Sequence, residues 1–162
     1  MMNCPSEIQL AHWETSLAQF IGVLRQGLSS SGGKKDPKKS PKGAYIIHAD
    51  GAGGEIAFAR WRNLYPLLNF LPTTGGADIL ANDGKTIDVK TTTRTDGNLL
   101  VPAHLKTAPC DIYALMMGDA DSGAYKCLGW ATSCQVFQEK NLRDFGHGLT
   151  YMVTQEELKK PN

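Results

Sequence analysis

A chain of 162 residues, 41% hydrophobic and 20% charged, has the length and composition of a single globular domain able to bury a core. Seventeen Lys and Arg against sixteen Asp and Glu leave a formal net charge of +1, so bulk charge announces no nucleic-acid partner. No apolar run approaches the ~20 residues that span a bilayer, and no charged-then-apolar leader is apparent, so a soluble, intracellular (cytoplasmic) protein without a membrane partner is expected.

In chain order, the first expected element is an amphipathic helix over Ser6 to Leu28. Leu10, Trp13, Leu17, Phe20 or Ile21, Leu24 and Leu28 recur every three to four positions, and Ser6 with Gln9 suits a capping box. Residues Ser29 to Gly43 carry no apolar side chain and read as a flexible lysine-rich loop or linker. Lys34, Lys35, Lys38, Lys39 and Lys42 stand there against the single acid Asp36, leaving 12 basic and 15 acidic residues elsewhere. The positive charge is thus concentrated in one stretch, which gives an otherwise acidic body a means of approaching a polyanion.

Ala44 to His48 reads as a short strand or extended segment. The Gly51-Ala-Gly-Gly54 run reads as a turn before a second helix from Glu55 to Tyr65, stopped by Pro66. Those glycines lack the lysine and hydroxyl residue of a P-loop, so they suggest a close approach of backbones rather than nucleotide binding. Ile79–Leu80 and Thr86 to Thr92 read as strands joined by a turn containing Asp83-Gly84. Leu99 to Val101 is a further strand candidate. The nearly continuous apolar run Asp111 to Met117 suggests a central strand covered on both faces. Ala124 to Ala131 is another strand. Thr132 or Ser133 is placed to cap a helix reaching about Phe145, Leu149 to Val153 reads as an edge strand, and Gln155 to Lys160 as a terminal helical turn. The order implies an α/β fold with a central mixed sheet flanked by helices.

The hairpin at 78–92 carries the chemistry. Side chains at i and i+2 of a strand share a face, so Asp88 and Lys90 stand side by side while Ile87, Val89 and Thr91 point the other way. Pairing with the preceding strand brings Asp78 to the same neighbourhood. Two carboxylates with an adjacent ammonium are a donor set for Mg²⁺ or Mn²⁺, with a cation to offset charge on an attacked phosphate. Thr91, Thr92, Thr93 and Arg94 come next, and hydroxyls and a guanidinium suit phosphate contacts. Other chemistries find less support. Cys4, Cys110, Cys127 and Cys134 form no CxxC pair and no cysteine–histidine metal spacing, and read as buried or free thiols. His12, His48, His104 and His147 are scattered, with only His48 near the candidate cleft, and no Gly-x-Ser-x-Gly element is present. Trp61, Trp130 and Tyr113 sit at core spacing.

Gly54-Glu55, Gly76-Ala77-Asp78 and Ile87-Asp88-Val89-Lys90, in that order, resemble the PD-(D/E)xK nuclease superfamily, whose restriction-endonuclease-like fold includes Holliday junction resolvases. The resemblance spans roughly Glu55 to Ala131. It implies a restriction-endonuclease-like core and a Mg²⁺-dependent endodeoxyribonuclease. Glu55, Asp78 and Asp88 would be metal ligands, directly or through water, and Lys90 the catalytic lysine. Ala77 stands where the named motif has proline, and Asp88 where glutamate is commoner. Lys34, Lys35, Lys38, Lys39 and Arg94 are the candidate DNA contacts, RNA is an open alternative substrate, and a homodimer cutting two strands is suggested by analogy. The competing reading is a non-catalytic nucleic-acid-binding or accessory protein, of phage or mobile-element type, that keeps the fold.

Overall fold

The computed structural model describes residues 7–31, 43–68, 76–146 and 148–161. Two long helices, α1 (His12–Ser31) and α2 (Ala44–Arg62), pack against a mixed five-stranded sheet made of β1 (Ile8–Gln9), β2 (Ile79–Leu80), β3 (Thr86–Thr92), β5 (Ile112–Gly118) and β6 (Ala124–Thr132). The strand order is β1-β6-β5-β3-β2, with β3 parallel to β5 and every other neighbour antiparallel. A second, antiparallel sheet consists of β4 (Leu99–Pro102), β7 (Leu142–Asp144) and β8 (Leu149–Val153), in the order β4-β8-β7.

The central strand β5 shows how the layers are built. Its alternate residues Ala114 and Met116 join the core beneath α1 and α2, whereas Tyr113 and Leu115 join the core beneath the second sheet, with Leu99, Val101, Tyr151 and Val153. Period-two alternation on a strand covered on both faces produces this division. Both long helices therefore lie on one face, and the other face is covered by the small sheet and the short α3 (Ser133–Val136) rather than by a long helix.

Several boundaries differ from the sequence expectations, each for a physical reason. Ile8–Gln9 is not helical but pairs with Tyr125 and Ala124. Of the expected capping box, Ser6 lies outside the described residues and Gln9 is in β1; at the start of the helix the side chain of Glu14 accepts from the Ala11 N–H (2.7 Å). The buried stripe of α1 runs through Glu14, Ala18 and Ile21, so Trp13 (66%) and Phe20 (59%) face outward instead of into the core. The helix extends to Ser31, into the start of the expected loop, and residues 32–42 lie outside the described residues.

The largest correction concerns 44–54. Ala44–His48 is not extended and Gly51–Gly54 is not a turn: both lie inside α2. The helix ends at Arg62, with Asn63 in the left-handed region at φ 53° as its cap, before Pro66 is reached. The glycines serve packing. A Cβ on Gly53 would overlap the hydroxyl and ring of Tyr125, and one on Gly54 the hydroxyl of Thr91. Tyr125 is buried and donates to the Asp50 carbonyl (3.2 Å), so it has no room to yield. Gly53→Ala is expected to destabilise the fold by about 1–3 kcal/mol through overpacking, outweighing the ~1 kcal/mol by which alanine is the better helix former. A lower urea midpoint at unchanged slope is the readout.

The expected helix to Phe145 is a single turn, α3. Asn141, buried, donates to the carbonyls of Gln135 (2.8 Å) and Val136 (3.1 Å), which takes up acceptors a longer helix would need. The Leu149–Val153 strand is the middle of its sheet, not an edge, and Leu99–Pro102 pairs with it rather than extending the larger sheet. The segment after β8 is a turn that bridges Lys159 to Trp130, not a helix. Trp61 packs edge-on to Phe58 and against Trp130, and Tyr113 edge-on to Phe137, as the core spacing implies.

Candidate functional site

The β2–β3 hairpin places Asp78 and the Asp88–Lys90 pair as the alternation predicts. Ile79 pairs with Ile87 and Leu80 with Thr86, around a turn at residues 82–85. Asp78, immediately before β2, donates its N–H to the Ile87 carbonyl (2.9 Å), and its Oδ2 accepts from the Val89 N–H (2.7 Å). The carboxylate is thereby fixed against the backbone of the strand that carries Asp88. Ile87 and Val89 enter the core under the helices.

Asp88 is buried, and Lys90 is about one-third exposed at its side chain. The ammonium stands 2.6 Å from Asp88 Oδ1 and 2.9 Å from Oδ2, but only the Oδ2 contact has hydrogen-bond geometry. Oδ1 is a buried oxygen with no hydrogen-bond donor among the described residues. The start of β3 is pinned to that of β5: Thr86 donates its N–H and hydroxyl to Asp111 Oδ2 (2.8 and 2.9 Å), and Asp111 N–H returns a bond to the Thr86 hydroxyl (3.0 Å).

Glu55 lies inside α2, not at its first turn, so the helix dipole does not explain its place. It is buried, and Arg25 of α1 holds both its oxygens at 2.8 and 3.0 Å. Such a bidentate charge-assisted pair accounts for a buried glutamate without a metal. Arg25 escapes a motif-based reading, but a signal for it exists. Its only mark in the sequence is that no acid lies three or four residues away on α1, and its partner is thirty positions on.

The electrostatics join these groups. Burial, then the Glu55 and Asp88 carboxylates, push Asp78 up to about 8, while the Val89 N–H and the Lys90 ammonium pull it down. Burial and the two neighbouring carboxylates thus favour the protonated form of Asp78. Cys110 adjoins the cluster. Burial pushes its thiol up to about 11, with Asp88 and Asp78 adding to the shift, so it does not offer a thiolate nucleophile at neutral pH.

No three His, Cys, Asp or Glu side chains among the described residues form a ready-made cage for a cation. The donor chemistry nevertheless suits a divalent ion on two carboxylates. Asp78 and Asp88 are carboxyl groups brought together under burial, with only the Lys90 ammonium against Asp88 among the described residues. Each oxygen of Glu55 already accepts one hydrogen bond from Arg25.

The other sequence candidates are placed as follows. Arg94 lies beyond β3 in a largely exposed pair with Asp96, at 2.9 and 2.7 Å. Thr91, Thr92 and Arg94 line an open groove of about 740 Å³ together with Lys90. Lys34, Lys35, Lys38, Lys39 and His147 lie outside the described residues. His48 is within α2, and His12 and His104 are exposed. Among the described residues no helix is long and apolar enough to cross a membrane. Comparison of the chain with protein-family models, with curated proteins and with solved structures gives no match.

Proposed function

We propose that this chain is a Mg²⁺- or Mn²⁺-dependent nuclease that hydrolyses DNA phosphodiester bonds at a site of PD-(D/E)xK type. The observation that carries this reading is the hairpin that brings Asp78 against the strand of Asp88 and Lys90, so that two carboxylates share a buried, positively under-compensated environment. A restriction-endonuclease-like core is supported by a helix bearing Glu55, an antiparallel pair bearing the acids and lysine, and a parallel neighbour, β5, behind them.

Asp78 and Asp88 would hold the ion, which when bound supplies Lewis acidity to the scissile phosphate and acidity to a water. Lys90, half in the groove and half on Asp88, is placed to offset charge that develops on the attacked phosphate and to orient the water. Glu55 acts at a distance, setting the charge around Asp78 while paired with Arg25. Arg94 and the lysines at 34, 35, 38 and 39 are the proposed phosphate contacts, and a homodimer would give two sites for two strands.

A second reading, an accessory nucleic-acid-binding protein without catalysis, is favoured by the ion pairs: Glu55 held by Arg25 and Asp88 held by Lys90. Labelled duplex, flap, junction and single-stranded DNA, and RNA counterparts, incubated with Mg²⁺, Mn²⁺ or EDTA, separate the two. Cleavage is expected with either ion and none with EDTA. Cleavage undiminished by EDTA would overturn the metal mechanism, and tight DNA binding with no cleavage under any ion would select the accessory reading.

A further inference from the structure

The groove beside Lys90 is built, not incidental. It runs between the loop joining β3 to β4 and the face of the second sheet. Its loop wall is clamped: Gln155 Nε2 donates to the carbonyls of Thr95 (2.9 Å) and Gly97 (2.7 Å), and the Gln155 N–H donates to Asn98 Oδ1 (3.3 Å). Its volume of about 740 Å³ falls in the range of preformed ligand clefts.

Its lining has two characters. Lys90 and Arg94 bring positive charge to it, whereas the Thr91 hydroxyl is buried against Gly54 of α2 and the Thr92 hydroxyl accepts from the Arg94 N–H (3.1 Å). The same lining holds Phe145, at the turn after β7 and half exposed, with the exposed Leu100. The other phenylalanine of this region, Phe137, is by contrast packed edge-on between Tyr113 and Tyr151. The Phe145 turn is fixed by the Gly146 N–H donating to Asp144 Oδ1 (2.8 Å). Arg94 pairs with Asp96, and because both side chains are largely exposed the pair is weak and exchangeable for a phosphate.

Cationic side chains and an exposed aromatic ring in one groove match a nucleotide, which has an anionic and a planar apolar end. In a duplex the base faces are stacked on one another and closed to such a ring. In a single strand they are open, and stacking on an aromatic side chain beside a basic track is the usual mode of single-strand binding. Lys90 belongs to both the groove and the acid pair, so a strand lying here runs past the candidate catalytic carboxylates.

We infer that this groove binds an unpaired DNA strand, with a base stacked on Phe145 and phosphates on Arg94 and Lys90. The inference deepens the nuclease reading by naming its substrate class, and rests on that reading only for the cutting of the bound strand. The test is fluorescence anisotropy of the full chain in EDTA, with a labelled oligo(dT) strand and a blunt duplex of equal length as probes. The single strand is expected to bind at least about tenfold more tightly than the duplex. Phe145→Ala should weaken its binding roughly tenfold or more, Phe145→Leu should fail to restore it, and Phe145→Trp should preserve it. Arg94→Ala should flatten the log–log salt dependence by about 0.7 for each phosphate no longer neutralised. Equal affinity for the duplex, or an unchanged affinity in Phe145→Ala with the melting temperature intact, would overturn the inference. Because binding is read without divalent ion, a chain that binds the strand but never cuts would sink the nuclease reading and leave the groove standing. A chain that cuts duplex with Mg²⁺ regardless of Phe145 would do the reverse.

Discussion

Asp88→Asn is expected to lower cleavage by about a hundred- to a thousandfold or more, the range associated with removing one preorganised electrostatic group from a site of charge development, while the protein stays folded. The substitution keeps the shape of a buried side chain and removes a charge that repels Asp78. The Lys90 ammonium it releases is about one-third exposed and has the groove to turn into, so no unpaired buried charge is left. Lys90→Ala should be equally damaging to cleavage but different in stability. It strips the counter-ion, which contacts both oxygens, from a buried carboxylate, at a cost of about 1–3 kcal/mol. The two variants should also diverge in cation binding. Lys90 and a divalent ion compete for Asp88, so Mn²⁺ affinity measured by calorimetry should fall in Asp88→Asn and hold or rise in Lys90→Ala. Unchanged Mn²⁺ binding in Asp88→Asn would remove Asp88 from the ligand set.

The hairpin that underlies this prediction is readable in the sequence because its information is local. Period-two alternation sets the faces of Ile87, Asp88, Val89 and Lys90, and Asp83-Gly84 marks the turn. The α2 helix is misleading because its glycines are bad for an isolated helix, and their justification is long-range, in the ring of Tyr125 and the hydroxyl of Thr91. Nothing in a window around Gly51 reveals those partners. The outward face of α1 has a similar origin: Trp13 and Phe20 share a helical stripe, but burial follows the α2 side, where Ala18 and Ile21 allow close packing and Glu14 meets Arg60 (2.6 Å). The second sheet joins short strands distant in sequence, Leu99–Pro102 with Leu149–Val153, a pairing that local pattern does not encode. At the site, the residue types of Glu55, Asp78, Asp88 and Lys90 are legible, but the state of Glu55 is not, since it depends on Arg25 from another helix.

Asp78 supplies the other large effect, in the dependence of stability on pH. Its folded-state pKa is about 8, above the ordinary 3.8, because burial and the Glu55 and Asp88 carboxylates disfavour its charged form. Between those values the folded chain holds a proton that the unfolded chain has released, so stability falls as pH rises through this window. The contribution is fully present below about pH 4 and is lost by about pH 8. Asp78→Asn keeps the neutral form's shape and carries no titrating proton. In metal-free buffer the variant should therefore gain on the wild type steadily from about pH 4 to about pH 8, with the largest difference in melting temperature at the alkaline end. A divalent ion at the site inverts the preference by favouring the carboxylate. Millimolar Mn²⁺ at about pH 8 should then raise the melting temperature of the wild type and leave Asp78→Asn nearly unmoved. Parallel pH profiles for the two proteins would mean that Asp78 is not held protonated by its neighbours. An equal Mn²⁺ response in both would place the ion elsewhere than on Asp78.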